Sequence, residues 1–160
     1  MIRTAVAADV PDILAMVGEL ASYERSQDQA LMTSAQLQEA LFGANPTLFG
    51  HVAVDGAHRP VGFALWFLSF STWTGSHGIY LEDLYVRPAA RGTGLGLALL
   101  HTLARICVER GYSRLEWSVL DWNTPAIDFY RAVGARGMEG WTVWRLTGEA
   151  LEAAGDQRSR

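Results

Sequence analysis

The alternation of apolar and polar positions predicts a chain built from short strands and amphipathic helices. Apolar residues recur at helical spacing after Asp9, which can cap a helix with Pro11 in its first turn. They recur again after Thr33 and Gln36, which have the spacing of a capping box. Apolar and β-branched runs bounded by turn residues predict strands. The predicted strands are residues 2–5, 48–54, 61–70, 80–86, 115–120 and 141–146.

The connections between these segments predict how the strands pair. A short polar turn at residues 55–60 favours an antiparallel hairpin between the second and third strands. A long helix ending near Gly111 separates strand 80–86 from strand 115–120, and such a crossover makes the two strands parallel. A further helix over residues 126–133 follows Pro125, whose missing N–H costs least at a helix start. The predicted fold is a mixed α/β sheet flanked by helices.

The glycine-rich loop between strand 80–86 and the long helix is the strongest indication of a ligand. It reads Arg91-Gly92-Thr93-Gly94-Leu95-Gly96. Glycines let the backbone approach a ligand closely, and the first turn of a helix offers unpaired N–H groups at the positive end of its dipole. The loop therefore suits a pyrophosphate.

Spacing separates the phosphate-binding architectures that compete for this loop. A triphosphatase loop is excluded because Gly96-Leu97-Ala98 offers neither lysine nor hydroxyl at the helix start. A dinucleotide site is disfavoured because the third glycine comes one position early, although Glu116 lies roughly where such a site has its ribose-binding acid. A glycine-rich helix entry with no ligand stays open at this point.

Composition narrows the classes of function. With 160 residues, of which 49% are hydrophobic and 19% charged, we expect one globular domain over residues 1–152 and a frayed tail over 153–160. A net charge of −4 gives no general attraction to nucleic acid or anionic membranes. Neither a membrane span nor a signal-peptide core is present in the sequence, so we expect a cytoplasmic protein. The single cysteine, Cys107, excludes an intramolecular disulfide, and the histidines show no metal-binding spacing.

Two further motifs extend the pattern of the glycine loop. Tyr80-Leu81-Glu82-Asp83 precedes it, and Trp122-Asn123-Thr124-Pro125-Ala126-Ile127-Asp128-Phe129-Tyr130, then Gly134-Ala135, follows it. With these motifs at this separation, the chain from Ile2 to about Leu151 resembles the GCN5-related N-acetyltransferase (GNAT) superfamily, in its spermidine/spermine and thialysine acetyltransferase branch. The resemblance implies a twisted mixed sheet of about six or seven strands. It also implies acetyl-CoA-dependent N-acetylation of a small primary amine by direct attack in a ternary complex.

The resemblance also implies which residues bind acetyl-CoA. Leu84, Tyr85 and Val86 would present backbone groups to the pantetheine arm, which enters where the two parallel strands splay apart. The pyrophosphate would be held by Arg91, Gly92, Thr93, Gly94, Leu95, Gly96 and Leu97. The opposite side of the cofactor would be lined by Glu116, Trp117, Ser118, Asn123, Thr124, Pro125 and Ala126.

The residues that would carry the chemistry follow from the same resemblance. Tyr130 would be the general acid, because a phenol can protonate the CoA thiolate as it forms. Glu82 would be the base, directly or through water, while neighbouring Asp83 shares its site only if a bulge interrupts the strand. Substrate-binding residues would be Tyr23, Glu24, Trp73, Glu82 and Asp83. The residues alone leave structural alternatives open, such as a buried aromatic at position 130 and a solvated helix end at 23–24.

Departures from the family pattern bear on the acceptor and on the assembly. After Glu24 the chain reads Arg25-Ser26-Gln27, where the polyamine enzymes are rich in acids, which disfavours a long polycation. The acceptor implied by the resemblance is a diamine, a polyamine or a thialysine-like amino acid. A protein or peptide amine and an antibiotic amine are the alternatives. An acyl-CoA-binding regulatory module without turnover is a further alternative, against which Glu82 and Tyr130 argue. The resemblance and the apolar strand 61–70 predict a homodimer.

Overall fold

A computed structural model describes residues 1–156, and within it the chain forms two compact units. The first unit is Met1–Ser118, and the second begins at Val119. The single domain over residues 1–152 stays a prediction. Of the predicted frayed tail, residues 153–155 are helical, and residues 157–160 lie outside the described residues.

One five-stranded sheet organises the first unit, with its strands in sequence order. The first four strands pair antiparallel, and the fifth is parallel to the fourth. The strands are β1 (Ile2–Thr4), β2 (Phe49–Val54), β3 (Pro60–Ser71), β4 (Ser76–Val86) and β5 (Leu115–Glu116). The mixed α/β class and the parallel final pair are confirmed, whereas the expectation of six or seven strands is wrong for the described residues.

The helices begin and end near the predicted residues. Thr33 and Gln36 form the predicted capping box, in which each side chain accepts a hydrogen bond from the other residue's N–H, at 3.2 and 2.9 Å. The long helix ends before Gly111, which takes a left-handed φ of 65°. The helices of the first unit are α1 (Val10–Tyr23), α2 (Ser34–Phe42) and α3 (Leu95–Arg110), and those of the second are α4 (Thr124–Ala132) and α5 (Gly148–Gly155).

Helices cover both faces of the sheet. Phe63 and Leu65 of β3 belong to one buried cluster with residues of α1 and α2. Their strand neighbours Ala64 and Trp66 are also buried and project from the opposite face, because side chains alternate along a strand. Helix α3 contacts β3 and β4, and its Leu99 and Leu103 are fully buried, so it covers that second face.

The last predicted strand is wrong. Residues 141–146 form no strand in the described part of the chain, and the side chains of Trp141 and Trp144 are 73% and 91% exposed. An apolar run becomes a strand only where a neighbouring strand pairs with its backbone groups, and the sheet ends at β5. β5 itself is shorter than predicted, because its ladder with β4 stops at Glu116.

Asp9 stabilises the start of the fold in a way that the sequence did not predict. Its side chain makes no cap for α1; it accepts two hydrogen bonds from Arg3, at 2.7 and 2.8 Å, and one from the N–H of Val6 at 2.8 Å. Asp9 is buried, yet the Arg3 hydrogen bonds hold the pKa of its carboxyl below the usual range. The interaction joins β1 to the beginning of α1.

We predict that Asp9→Ala lowers the free energy of unfolding at neutral pH by about 2 kcal/mol, because Arg3 and the Val6 N–H lose their common acceptor. Since the native pKa of Asp9 is lowered, its contribution is complete above the ordinary carboxyl pKa near 4. It is lost as the pH falls through the native value. Urea unfolding at pH 7 and pH 3 measures both effects. Asp28→Ala, at an exposed site, is the control, and an equal loss in the two variants would contradict the assignment.

Candidate functional site

Strand β4 is interrupted by a bulge at Glu82. Leu65 of β3 lies opposite Asp83, and the next residue, Trp66, lies opposite Leu81, so Glu82 has no partner on β3. An extra residue of this kind bends the strand and breaks the strict alternation of side chains. The sequence allowed Glu82 and Asp83 to share one site only if a bulge interrupted the strand, and this bulge is present.

The bulge also changes the direction in which the backbone of β4 points. The N–H of Ile79 donates to Arg114 O at 3.0 Å, on the β5 side, while the N–H of Arg87 donates to Val61 O at 2.9 Å, on the β3 side. In a regular strand both would point to the same side, because they are separated by an even number of residues. After the bulge, Leu84 and Val86 consequently turn their N–H and C=O groups away from β3.

Within residues 1–156, no strand pairs with this part of β4 on its outer side. β4 and β5 are paired only at Ile79–Leu115 and Tyr80–Glu116, although β4 continues to Val86. Near the end of the ladder, the hydroxyls of Tyr80 and Ser118 form a hydrogen bond of 2.9 Å. The two parallel strands thus leave a strand edge open beyond Tyr80, which is the arrangement expected for a bound pantetheine.

Two glycines of the loop adopt a backbone conformation that favours glycine. Gly92 and Gly94 have left-handed φ angles of 75° and 81°. A Cβ placed on either glycine would meet no atom within 4 Å, so the space in front of the loop is open. Both glycines are needed here because other residues adopt this conformation only with strain.

The start of α3 lacks the side-chain cap that α2 and α4 have. Thr33 caps α2 and Asn123 caps α4, but Gly94 has no side chain to do so for α3. The first bond within the helix runs from the N–H of Ala98 to Gly94 O, at 2.9 Å. The N–H groups of residues 95–97 precede it and lie at the positive end of the helix dipole. This helix start is suited to an anion such as a pyrophosphate.

Arg91 connects the glycine loop to the end of α1. Its Nε donates to Val86 O at 2.8 Å, and its guanidinium lies over the rings of Tyr23 and Tyr85, 5.6 and 5.5 Å from their centroids. Tyr85 in turn donates to Glu19 at 3.1 Å. The side chains of Arg91 and Tyr85, both predicted to bind the cofactor, are therefore engaged in packing α1 against β4. Glu19 was missed by sequence reasoning, although its i, i+4 spacing from Tyr23 was a usable signal.

Three carboxyl groups meet beside the bulge. Asp83 shares a sheet face with Leu65 and Tyr85, the face that α1 covers, and Glu24 lies at the C-terminal end of α1. Burial raises the pKa of Asp83 to about 6, and the negative charges of Glu82 and Glu24 add to the effect. Burial also raises the pKa of Glu24. Like charges held this close favour a bound cation, which would relieve their repulsion.

Within one chain, Trp73 lies far from these acids. It lies in the turn between β3 and β4 and is 90% exposed. From Ser76 to Glu82 the strand rises by about 20 Å, at roughly 3.3 Å per residue. Trp73 therefore lies at the far end of the hairpin from the bulge.

The remaining predicted residues lie at the end of the first unit and in the second unit. Glu116 forms an ion pair with Arg114 at 2.9 Å, and Trp117 is half-buried. In the second unit, Asn123 Oδ1 accepts a hydrogen bond from the N–H of Ala126 at 3.4 Å, so Thr124 and Pro125 occupy the first turn of α4. Tyr130 is a half-buried residue of α4, and its ring centroid lies 5.2 Å from that of Phe129.

The described part of the chain contains neither a cluster of metal-binding side chains nor a membrane-spanning helix. No group of three histidine, cysteine, aspartate or glutamate side chains there is arranged to hold a metal ion. Within the same residues, no helix has the length and apolar character needed to cross a membrane.

Known proteins resemble this chain over nearly its whole length. Residues 14–135 match the model of the acetyltransferase (GNAT) family. Thialysine N-epsilon-acetyltransferase of Sus scrofa is 40% identical over 166 residues, covering 97% of each chain. L-ornithine N5-acetyltransferase of Arabidopsis thaliana is 30% identical, covering 95% of this chain and 86% of its own. The structure of an integron cassette protein from the V. cholerae mobile metagenome superposes with a TM-score of 0.80 at 27% identity, covering 96% of both chains.

We predict that Asp83→Asn stabilises the free protein above pH 6, because the variant removes a charge that is buried and that lies near two other negative charges. The raised native pKa means that the wild-type protein loses stability between about pH 4 and pH 6, as Asp83 ionises. The melting temperature of the variant should exceed that of the wild type by a few degrees at pH 7.5. The two should converge toward pH 4. Asp128→Asn, at an exposed position, should show no such dependence; a less stable Asp83→Asn protein at pH 7.5 would contradict the electrostatic account.

Proposed function

Because this chain belongs to the acetyltransferase (GNAT) family, we propose that it transfers the acetyl group of acetyl-CoA to the primary amine of a small molecule. One observation carries the proposal. A single stretch of the first unit, residues 79–97, combines a bulge that bears two acids, a strand edge with no partner strand, and an uncapped helix start. An amine acetyltransferase needs all three features: carboxylates for a cationic substrate, backbone groups for pantetheine, and N–H groups for a pyrophosphate.

The residues of this chain fit the coenzyme. The open space in front of Gly92 and Gly94 accommodates phosphate oxygens, and the N–H groups up to Leu97 are oriented toward an anion. The amide carbonyls of pantetheine can accept from the N–H groups of Leu84 and Val86 that β5 does not reach, whereas Val86 O already accepts from Arg91 Nε. When bound, acetyl-CoA supplies the acetyl group as an activated thioester. Further contacts are proposed for Glu116, Trp117, Ser118, Asn123, Thr124, Pro125 and Ala126.

Glu82 is the proposed base and Tyr130 the proposed general acid. Glu82 is exposed on the bulge, where it can take a proton from the arriving ammonium group directly or through water. Tyr130 Oη gives its proton to the leaving sulfur. The buried Cys107 has a pKa raised by burial, which supports direct attack by the amine over an acetyl-cysteine intermediate.

Asp83, Glu24 and Tyr23 are the proposed binding residues for the amine. An ammonium group beside Asp83 and Glu24 offsets the charge repulsion there, and the ring of Tyr23 offers an apolar surface for a short carbon chain. Three carboxyl groups of the described residues act on one another at this place, and the exposed Arg25 follows Glu24. A short diamine or a thialysine-like amino acid therefore fits better than a long polycation. Two relatives are named for thialysine and ornithine, and another is named for the polyamines spermidine and spermine. Protein, peptide and antibiotic amines, and CoA binding without turnover, are the alternatives.

The protein is proposed to act as a cytoplasmic homodimer. At the end of the β3–β4 hairpin, Phe70 and Trp73 are 55% and 90% exposed, and a second copy would cover such apolar side chains. Across such an interface Trp73 could reach the amine site of the partner, which it cannot reach within its own chain. Light scattering that shows only monomer at micromolar concentration would reject this assembly.

The experiment that tests the function is a thiol-release assay with acetyl-CoA and a panel of amines. The panel contains diamines, polyamines, thialysine, ornithine and lysine-containing peptides. We expect release with a short diamine or an amino acid that has a terminal side-chain amine. CoA binding without thiol release across the panel would instead identify a regulatory module.

We predict that Gly94→Ala weakens CoA binding by about tenfold or more, because the added methyl enters the open space before the helix start. Gly111→Ala is the matched control. Gly111 is also left-handed with open space around it, and it lies at the other end of α3, so it carries the same backbone strain of about 1–2 kcal/mol. Calorimetry should show weakened binding only for Gly94→Ala. Equal affinities of the two variants would remove the glycine loop from the binding site.

We predict that Tyr130→Phe lowers turnover by about a hundredfold at neutral pH while CoA affinity stays within twofold, because a general acid contributes at least that factor. Thiol release at saturating acetyl-CoA and calorimetry measure the two quantities. Tyr112→Phe removes a hydroxyl elsewhere and should leave both unchanged. Full turnover by Tyr130→Phe with a good amine substrate would eliminate Tyr130 as the acid.

A further inference from the structure

A pocket lies between the edge strand β1 and helix α3. It has a volume of about 630 Å³, and its polar lining residues are Arg3, Thr4, His51, His101, Thr102 and Arg105. No aspartate or glutamate lines it. The α3 residues of this lining are at positions 98, 101, 102 and 105, the spacing of one helical face, and the fully buried Leu99 and Leu103 are not among them. The pocket is therefore a separate feature from the glycine loop.

His51 gives the pocket a buried hydrogen-bond donor. Its side chain is 9% exposed, and its Nδ1 accepts a hydrogen bond of 3.2 Å from Trp66 Nε1. Because Nδ1 is the acceptor, the ring proton of the neutral imidazole is on Nε2. Among the described residues no acceptor is found for that Nε2–H, and it is not one of their buried unsatisfied atoms, so it can donate to a molecule in the pocket. Burial and the positive charge of Arg105 both lower the pKa of His51.

The cationic side chains of the pocket differ in how much of their charge is neutralised. Arg3 is paired with Asp9 through two hydrogen bonds. Arg105 has only a 3.7 Å contact with Glu109, and both side chains are about two-thirds exposed, so this pair is weak. His101 is exposed on the same helical face. The guanidinium of Arg105 is thus the main available positive charge, next to the His51 donor.

We propose that this pocket binds a small oxyanion, a phosphate or carboxylate group, between Arg105 and the Nε2–H of His51. The guanidinium of Arg105 supplies positive charge and paired donors that match two oxygens. His51 donates to a third oxygen of a phosphate, or to one of the same two oxygens of a carboxylate. Thr4 and His101 supply further polar contacts at the rim. The site is separate from the proposed coenzyme site. A pyrophosphate at the glycine loop would contact the backbone of residues 92–97, whereas the oxyanion would contact the side chains of Arg105 and His51.

The test is an NMR titration of the ¹⁵N-labelled full chain, saturated with CoA so that the glycine loop is occupied. Inorganic phosphate and succinate are the two probes, each at constant ionic strength against sodium chloride. We expect concentration-dependent shifts at Thr4, His51 and His101. A stronger response to phosphate assigns the site to phosphate esters, and a stronger response to succinate assigns it to carboxylic acids.

Arg105→Gln should raise the dissociation constant of the better probe at least about tenfold, because it removes the main available charge. Arg110→Gln is the matched control, since Arg110 is exposed on the same helix but does not line the pocket. CoA affinity should be unchanged in both variants, which separates this site from the proposed acetyltransferase site. Absence of shifts at His51 with either probe, or equal weakening by the two substitutions, would overturn the proposal.

Discussion

The bulge at Glu82 is the irregularity on which the rest of the site depends. β4 pairs with β3 along its whole length, so it belongs to the most extensively bonded part of the sheet. One extra residue inverts the direction of its backbone groups, and Leu84 and Val86 consequently turn toward an edge that β5 does not reach. The same residue brings two carboxyl groups to one place. A regular strand would supply neither the open edge nor the paired acids.

This arrangement combines destabilising groups in the site with a stable, well-packed part of the fold. Three carboxyl groups repel one another beside α1, and unpaired backbone groups remain at the strand edge and at the start of α3. Such groups cost free energy in the free protein and recover it when a cation and an anion bind. The buried cluster of α1, α2, β2 and β3 and the Arg3–Asp9 pair supply the stability that permits this cost. Arg91, stacked on Tyr23 and Tyr85, keeps the anion-binding loop and the acidic end of α1 in a fixed relation.

Local sequence rules predicted most of the helices and strands. The capping box at Thr33 and the helix from the glycine loop to Gly111 follow from single residues, and the structure confirms both. The left-handed backbone of Gly92 and Gly94 was not predicted, because the motif indicated only that glycines let the loop approach a ligand closely. The strand at 141–146 failed because a strand needs a neighbour that the sequence does not specify. The sequence indicated the bulge only as the condition under which Asp83 shares the site of Glu82. The presence of a bulge depends on how β4 pairs with β3, and the sequence does not specify that register. The distance between Trp73 and the acids was also not predicted, because residues that are close in sequence lie far apart along an extended hairpin.

The central claim is that unpaired backbone N–H groups of β4 and of the start of α3 bind the coenzyme. Amide hydrogen exchange, measured by NMR with and without CoA, tests it most directly. The account predicts slowed exchange at Leu84, Val86 and residues 92–97, with little change on the hydrogen-bonded side of the same strand at Asp83 and Tyr85. Slowed exchange that is absent from these amides while CoA is demonstrably bound would contradict the account.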